Sequence, residues 1–320
     1  MRTFRTFLLA TSLLALGIPG CAPRPQADPA PRSEVEATSL LGEPLARRGI
    51  PGETRVRLEA QLAAARSAYD RAPQDADSII WFGRRLAYLE RYGDAIDVFS
   101  EGIEKHPDDA RMYRHRGHRL ITLRRFDEAI ADLERAAELV AGKPDEVEPD
   151  GAPNRLNIPL STTQGNIYYH LALAHYLKSD YQRALPAWQH ALRVARNDDT
   201  RVAVTDWLYM TLRRLGRDDE ARALVARVSA DLDIIENDAY HRRLLFYRGA
   251  LPADSLLSPD VADELQYVTQ GYGVANWYLA EGDTARANEI FDRLLGTGYW
   301  AAFGYIAAEA DVARRRSASP

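Results

Sequence analysis

An all-α fold of stacked helical hairpins is what this sequence predicts, and three observations predict it. The first is a period. Gly83 and Gly117 are 34 residues apart, as are Ala95 and Ala129, Tyr92 and Phe126, and Phe99 and Leu133. A fixed spacing of this length marks units that cannot bury their apolar faces alone and stack in order to do so. The second is texture. From about residue 55 onward, apolar residues recur three and four apart among Ala, Leu, Arg, Glu and Asp, which is the helical spacing, and strand signals are nearly absent. The third is punctuation: Pro107 ends a helical stretch and lies 34 residues beyond Pro73.

Residues 1–20 precede the array. Arg2 and Arg5 form a basic head, and Phe7 to Ile18 is nearly all apolar. A run of about a dozen residues is too short for a membrane-spanning helix, which needs roughly 20, and fits the core of a secretory signal. Cys21 follows and is the only cysteine in the 320 residues. A lone thiol makes no internal disulfide, and left free it is a liability in an oxidising compartment.

Ile18-Pro19-Gly20-Cys21 resembles the lipobox of bacterial lipoprotein signals, with Pro19 standing where that family usually carries Ala, Ser or Thr. The resemblance implies a signal peptide over 1–20 and a lipid on Cys21, whose several acyl chains would each add about 0.8 kcal/mol of membrane affinity per buried CH₂. It also implies a bacterial cell-envelope protein, exported and held by that lipid alone. Ala22 in place of Asp favours the outer membrane in enterobacterial lipoproteins, with the folded body in the periplasm. An ordinary secretory signal followed by a stray cysteine is the alternative. Loss of 20 residues would leave 300, and loss of Arg2 and Arg5 would move the net charge from −5 to −7. An acidic chain lacks the basic footprint that nucleic-acid binding requires.

Residues 21–54 contain Pro23, Pro25, Pro29, Pro31, Pro44 and Pro51 and few apolar side chains. This composition predicts a lipidated cysteine followed by a disordered, proline-rich linker that lets a folded body stand off a membrane.

The array is expected over 55–315. Its units lie near 76–109, 110–143, 165–198, 202–235 and 268–298, with a Pro-, Asp-, Asn- and Thr-rich loop inserted over 142–164 and a closing helix over 300–315. Glu59 to Pro73 reads as a lone second helix, Asp233 to Arg248 as one helix, and 316–320 as a polar tail. The stretch DSIIWFGRRLAYLERYGDAIDVFSEGIEKHP, from Asp77 to Pro107, resembles the tetratricopeptide repeat. The resemblance is strong over 76–141 and 165–196 and moderate over 202–230 and 267–295. It implies a right-handed α-solenoid of antiparallel helix pairs, whose crossings are packed by Gly83, Ala95, Phe99, Gly117, Ala129, Ala172, Ala184, Trp188, Ala221, Ala287 and Phe291. Small residues are needed there because helices packed roughly 8–10 Å apart leave little room.

Signatures of chemistry are mostly missing. The sequence has no HExxH, no GxSxG and no phosphate-binding loop of the GxxxxGK type. Gly271-Tyr272-Gly273 begins a GxG with no strand before it, and reads as close helix packing. His115 and His118, or His170 and His175, lack the further ligands that zinc needs. No metal, no cofactor and no catalytic activity are expected.

In the tetratricopeptide family the first helix of each pair lines a concave groove. Counting along one helical face from each crossing residue selects Arg84, Arg111, Arg114, His118, Asn166, Tyr169, Tyr176 and Arg213 as candidate groove residues, a basic stretch beside an aromatic one. Arginine grips carboxylates bidentately, and tyrosine packs while hydrogen-bonding. A solvated face with no ligand is the alternative. The function expected is a non-enzymatic protein- or peptide-binding scaffold or adaptor. A binding module for a small ligand, such as a cell-wall glycan or muropeptide, is the second reading.

Overall fold

A computed structural model of the chain describes residues 34–258 and 264–318. The signal, the lipobox and Cys21 lie outside the described residues. Fourteen helices are found among the described residues: α1 (Gly52–Arg71), α2 (Ala76–Tyr88), α3 (Tyr92–Lys105), α4 (Ala110–Thr122), α5 (Phe126–Val140), α6 (Thr163–Leu177), α7 (Tyr181–Val194), α8 (Asp198–Arg214), α9 (Asp218–Val225), α10 (Asp238–Tyr247), α11 (Asp254–Leu257), α12 (Glu264–Ala280), α13 (Thr284–Leu295) and α14 (Phe303–Ala318). They pack as an α-solenoid of hairpins: α2 with α3, α4 with α5, α6 with α7, α8 with α9 and α12 with α13.

The first helix of each of the four leading hairpins starts on a capping side chain. Asp75 accepts from the Ser78 N–H at 2.8 Å, Asp109 from Arg111 at 2.9 Å, Thr162 from Gly165 at 3.1 Å and Asn197 from Thr200 at 2.8 Å. Each such cap is worth about 1 kcal/mol. The crossings fall on the expected residues. A Cβ added to Gly83 would sit 2.5 Å from the Phe99 ring, and one on Gly117 would sit 2.8 Å from Leu133 Cγ. Ala95, Ala129, Ala172, Ala184, Trp188, Ala221, Ala287 and Phe291 are all 0% exposed, and Phe99 is 1% exposed.

The five hairpin turns share one geometry. Glu90, Arg124, Ser179, Gly216 and Gly282 have φ of 59°, 63°, 64°, 70° and 86°. Each lies two residues past one helix and two before the next. In each turn the following N–H reaches back five residues to a carbonyl: Arg91 to Leu86, Arg125 to Leu120, Asp180 to His175, Arg217 to Leu212 and Asp283 to Tyr278. This is the left-handed helix stop that glycine normally supplies. Three of the five positions are not glycine. Their side chains catch the chain's distant ends. Glu90 binds the N–H and Nε of Arg48, Arg124 binds Glu309 at 2.7 Å and the Trp300 carbonyl at 2.9 Å, and the Ser179 hydroxyl accepts from Arg314.

Two expectations need correction at the N-terminal side. The linker does not extend to residue 54. Val35–Thr38 (β1) and Pro44–Ala46 (β2) pair as an antiparallel hairpin, the one two-stranded sheet among the described residues. Ser39 Oγ organises its turn by accepting from the Leu41 and Glu43 N–H groups. Leu45 is 4% exposed in a core that also holds Tyr92 and Trp300, and the Trp300 indole donates to the Ala46 carbonyl at 2.6 Å. The prolines mislead because Pro44 begins an edge strand and Pro51 precedes a helix, both places where proline is tolerated. Helix α1 begins at Gly52 rather than Glu59.

The C-terminal expectations also shift. The helix expected over Asp233 to Arg248 is confined to Asp238–Tyr247. Its missing first turn is held open by Asp199, which accepts from the N–H groups of Ile235, Glu236 and Asn237. Helix α14 runs to Ala318, into the expected polar tail.

Candidate functional site

The faces of α2, α4, α6 and α8 that the sequence assigns to a groove are largely covered by the chain itself. Three segments do this: the 142–164 insertion, helices α10 and α12, and the stretch from Trp300 into α14. The insertion lies close on α2. A Cβ on Gly151 would fall 2.0 Å from the Tyr88 hydroxyl and 2.7 Å from Arg84 Nη2, so any larger residue would have to push these side-chain ends aside.

Most candidate groove residues therefore have partners within the molecule. Arg84 donates to the Pro149 carbonyl at 2.9 Å. Arg114 is buried and pairs with Glu148 at 3.0 Å, and Asn166 Nδ2 donates to the same carboxylate at 2.9 Å. Tyr169 meets the Tyr240 hydroxyl at 3.3 Å and stands edge-on to Trp188. Tyr176 is 3% exposed, its hydroxyl 2.8 Å from that of Tyr272. Arg213 bridges Glu281 at 2.7 Å and Asp218 at 2.8 Å. Arg111 sits apart on a rim, gripping Asp109 and Asp77, beside an outer cleft of about 740 Å³ lined also by Lys143, Asp145 and Glu146. The basic stretch beside an aromatic one is thus found largely covered by the chain's own segments. Helical spacing selects which side of a helix turns inward, and the chain's own later segments occupy much of that inner space.

Among the described residues His118 lines two spaces on this face. One, of about 120 Å³, lies between α2 and α4 among Arg84, Tyr88, Arg114, His115, Arg119 and Glu148. The other, of about 330 Å³, is bounded by Tyr240, Leu265, Thr269 and Ala301 to Gly304. His118 lies tilted against His170 with ring centroids 4.2 Å apart, and His115 stacks on Phe99 at 5.4 Å. Burial, reinforced by Arg114 and Arg119, holds the imidazoles of His115, His118 and His170 well below their ordinary pKa, so all three are neutral. Desolvation first, and then the charge of Arg114, lowers half-buried Arg119 to about 10. Its guanidinium lies over the Tyr92 ring at 5.6 Å, and among the described residues it has no carboxylate partner.

His115, Arg119, Tyr88 and Glu148 are not among the residues selected from the sequence. Arg119 lies two residues past Gly117, off the counted face. Glu148 belongs to the insertion, which has no repeat register from which its position could be read. The Gly271-Gly273 segment is close packing: added Cβ atoms would meet Leu294 at 2.7 Å and Arg243 at 2.0 Å. Among the described residues no three His, Cys, Asp or Glu side chains are grouped to hold a metal, and no helix is long and apolar enough to cross a membrane.

The chain matches no family model and no curated protein. Among solved structures it is similar to YrrB, a TPR protein with an unusual peptide-binding site, at 17% identity over 79% of this chain and 98% of that one, with a TM-score of 0.42. It is similar to a tetratricopeptide repeat protein from Parabacteroides merdae ATCC 43184 at 11% identity over 80% and 79% of the two chains, TM-score 0.44. It is also similar to the TPR domain of P58(IPK) at 12% identity over 84% and 96%, TM-score 0.27. In their period, their crossing residues and their turn geometry, the helix hairpins of this chain resemble tetratricopeptide repeats.

Proposed function

We propose that this protein is a non-enzymatic scaffold that binds a protein or peptide partner through the inner side of its helix array, and that a lipid on Cys21 holds it in the bacterial cell envelope, in the outer membrane. The binding reading is carried by one observation: after the rest of the inner face has been covered, three arginines remain around a single carboxylate there, a point at which one anionic group of a partner docks. Stacked hairpins present extended surfaces of this kind to partners. The anchor reading rests on the Ile18-to-Cys21 resemblance and the absence of any second cysteine.

Affinity capture on the full chain after cross-linking in its native host tests the scaffold. Enrichment of an envelope protein that is lost in Arg119→Met supports it. No enrichment across several cross-linkers sinks it. Radiolabelled palmitate should enter the wild type and not Cys21→Ser, and equal labelling of both would overturn the anchor.

A small ligand is the second reading, favoured by the 330 Å³ space, which falls in the range of small-molecule sites. Saturable thermal stabilisation by a muropeptide or oligosaccharide, with no partner captured, would select it.

A further inference from the structure

We propose that the pocket between α2 and α4 is a site for an oxyanion carrying two negative charges, phosphate or a phosphomonoester. The inference rests on the inner face being the binding face.

Four observations converge on it. First, size: about 120 Å³ admits one compact anionic group and not a peptide segment. Second, charge. Arg84, Arg114 and Arg119 line the space against Glu148 alone, and with neutral histidines the balance is two positive charges. A dianion brings it to zero, whereas a monocarboxylate leaves a buried positive charge. Third, unmet donors. The Nε–H of Arg114, a residue only 7% exposed, has no acceptor, and Arg119 meets only the face of Tyr92.

This is a departure from how the rest of the fold treats inward-turned arginines. Arg124 is paired with Glu309, Arg214 with Asp311, Arg213 with Glu281 and Arg243 with Asp206, all at 2.7–2.8 Å. Three guanidinium groups sharing one carboxylate leave excess positive charge in a partly desolvated space, which is costly, and planar forks of this kind match the oxygens of phosphate.

Fourth, the walls are already fixed. Glu148 is held by Asn166 and by its own N–H on the Ser161 carbonyl. Arg114 is tied to Glu148 and lies 2.9 Å from His115 Nδ1. The donors are therefore positioned before any ligand arrives. His118 also lines the 330 Å³ space, whose Leu265, Tyr240 and Phe303 offer apolar surface to the body of a monoester.

The test is thermal denaturation of the purified full chain at constant ionic strength and about pH 8, where phosphate is a dianion, titrated with inorganic phosphate, phenyl phosphate, sulfate or acetate. Phosphate and sulfate should raise the melting temperature saturably, and acetate should not. Phenyl phosphate acting at lower concentration than inorganic phosphate identifies a monoester as the natural form; equal potency identifies the free ion. Arg119→Met should abolish the response and leave the ligand-free protein close to wild type in stability, because half-buried Arg119 has, among the described residues, no carboxylate partner to lose. Arg201→Met, at an exposed pair with Asp198, should keep the full response. No saturable shift up to ~50 mM phosphate, an affinity too weak to matter biologically, overturns the proposal. So does a ligand-free Arg119→Met protein that melts lower while responding to phosphate like wild type. If Arg119→Met does not fold, Arg84→Met takes its place with the same required loss of response. A phosphate response without any captured partner leaves this site standing and removes the scaffold, and the reverse outcome removes this site alone.

Discussion

The three N-terminal hairpin turns and the two C-terminal ones solve the same backbone problem in different ways. At Gly216 and Gly282 the left-handed residue is glycine, which adopts that conformation without strain. At Glu90, Arg124 and Ser179 a side chain is forced into it, at about 1–2 kcal/mol each. All three strained residues bind a segment far away in sequence: Arg48, Glu309 with Trp300, and Arg314. The strain is thus found where the array is latched to its own N-terminal hairpin and C-terminal helix, and is missing from the two glycine turns. A side chain in the left-handed position persists when the surrounding contacts over-determine it. Here those contacts are the ones that tie the chain's distant ends to the first three hairpins.

The largest way to break that comparison is at Arg124. It and Glu309 are 3% and 1% exposed. Arg124→Gly relieves the strained turn yet leaves a buried carboxylate unpaired, and should cost about 3–5 kcal/mol by chemical denaturation. A neutral or stabilising result would show that the latch carries nothing.

Acid should act next. The buried His115 and His170 have lowered pKa values, against an unfolded value near 6.5. Below about pH 6.5 the unfolded chain takes up protons that the folded chain refuses, so stability present above that pH is lost as pH falls toward the folded values. Two such groups give a slope of up to about 3 kcal/mol per pH unit. Denaturation midpoints between about pH 7.5 and 5.5 should fall accordingly, and His115→Gln with His170→Gln should flatten the curve. Hydrogen exchange should show α4 and α6 loosening before α8 and α9.

Gly216→Ala forces a side chain into an unlatched turn and should cost about 1–2 kcal/mol. Glu90→Gly trades strain relief against a partly exposed pair with Arg48, and should cost about 1 kcal/mol or less. Ser179→Gly exchanges one hydroxyl contact for a relaxed backbone and should lie within about 0.5 kcal/mol of wild type. If Ser179→Gly proves more damaging than Gly216→Ala, the distinction between latched and glycine turns fails.

The packing of the array was legible in the sequence residue by residue. Gly83 against Phe99 and Gly117 against Leu133 follow from one spacing, because a helix crossing is a local geometric demand that repeats with the unit. The candidate site was legible only in part. Arg84, Arg114 and His118 do line the remaining pocket. Asn166 only steadies it, by holding Glu148. Tyr169, Tyr176 and Arg213 are absorbed by Tyr240, Tyr272 and Glu281. Arg119, the residue with the strongest reason to want a ligand, was missed because the face counted from Gly117 passes it by. The N-terminal hairpin was missed because a single well-placed Leu45 is invisible beside six prolines.

Helix hairpins, their register and their crossing residues were determined by the sequence alone, since 3.6-residue periodicity and 34-residue spacing act over a few turns of chain. What covers the inner face, which turns are latched and which arginine stays uncompensated were decided only by tertiary structure. The contact between Arg124 and Glu309 joins residues 185 apart, and that between Leu40 and Glu309 joins residues 269 apart. No local pattern encodes such pairs, because their energy arises only once the intervening hairpins have stacked and brought the two ends of the chain to the same place.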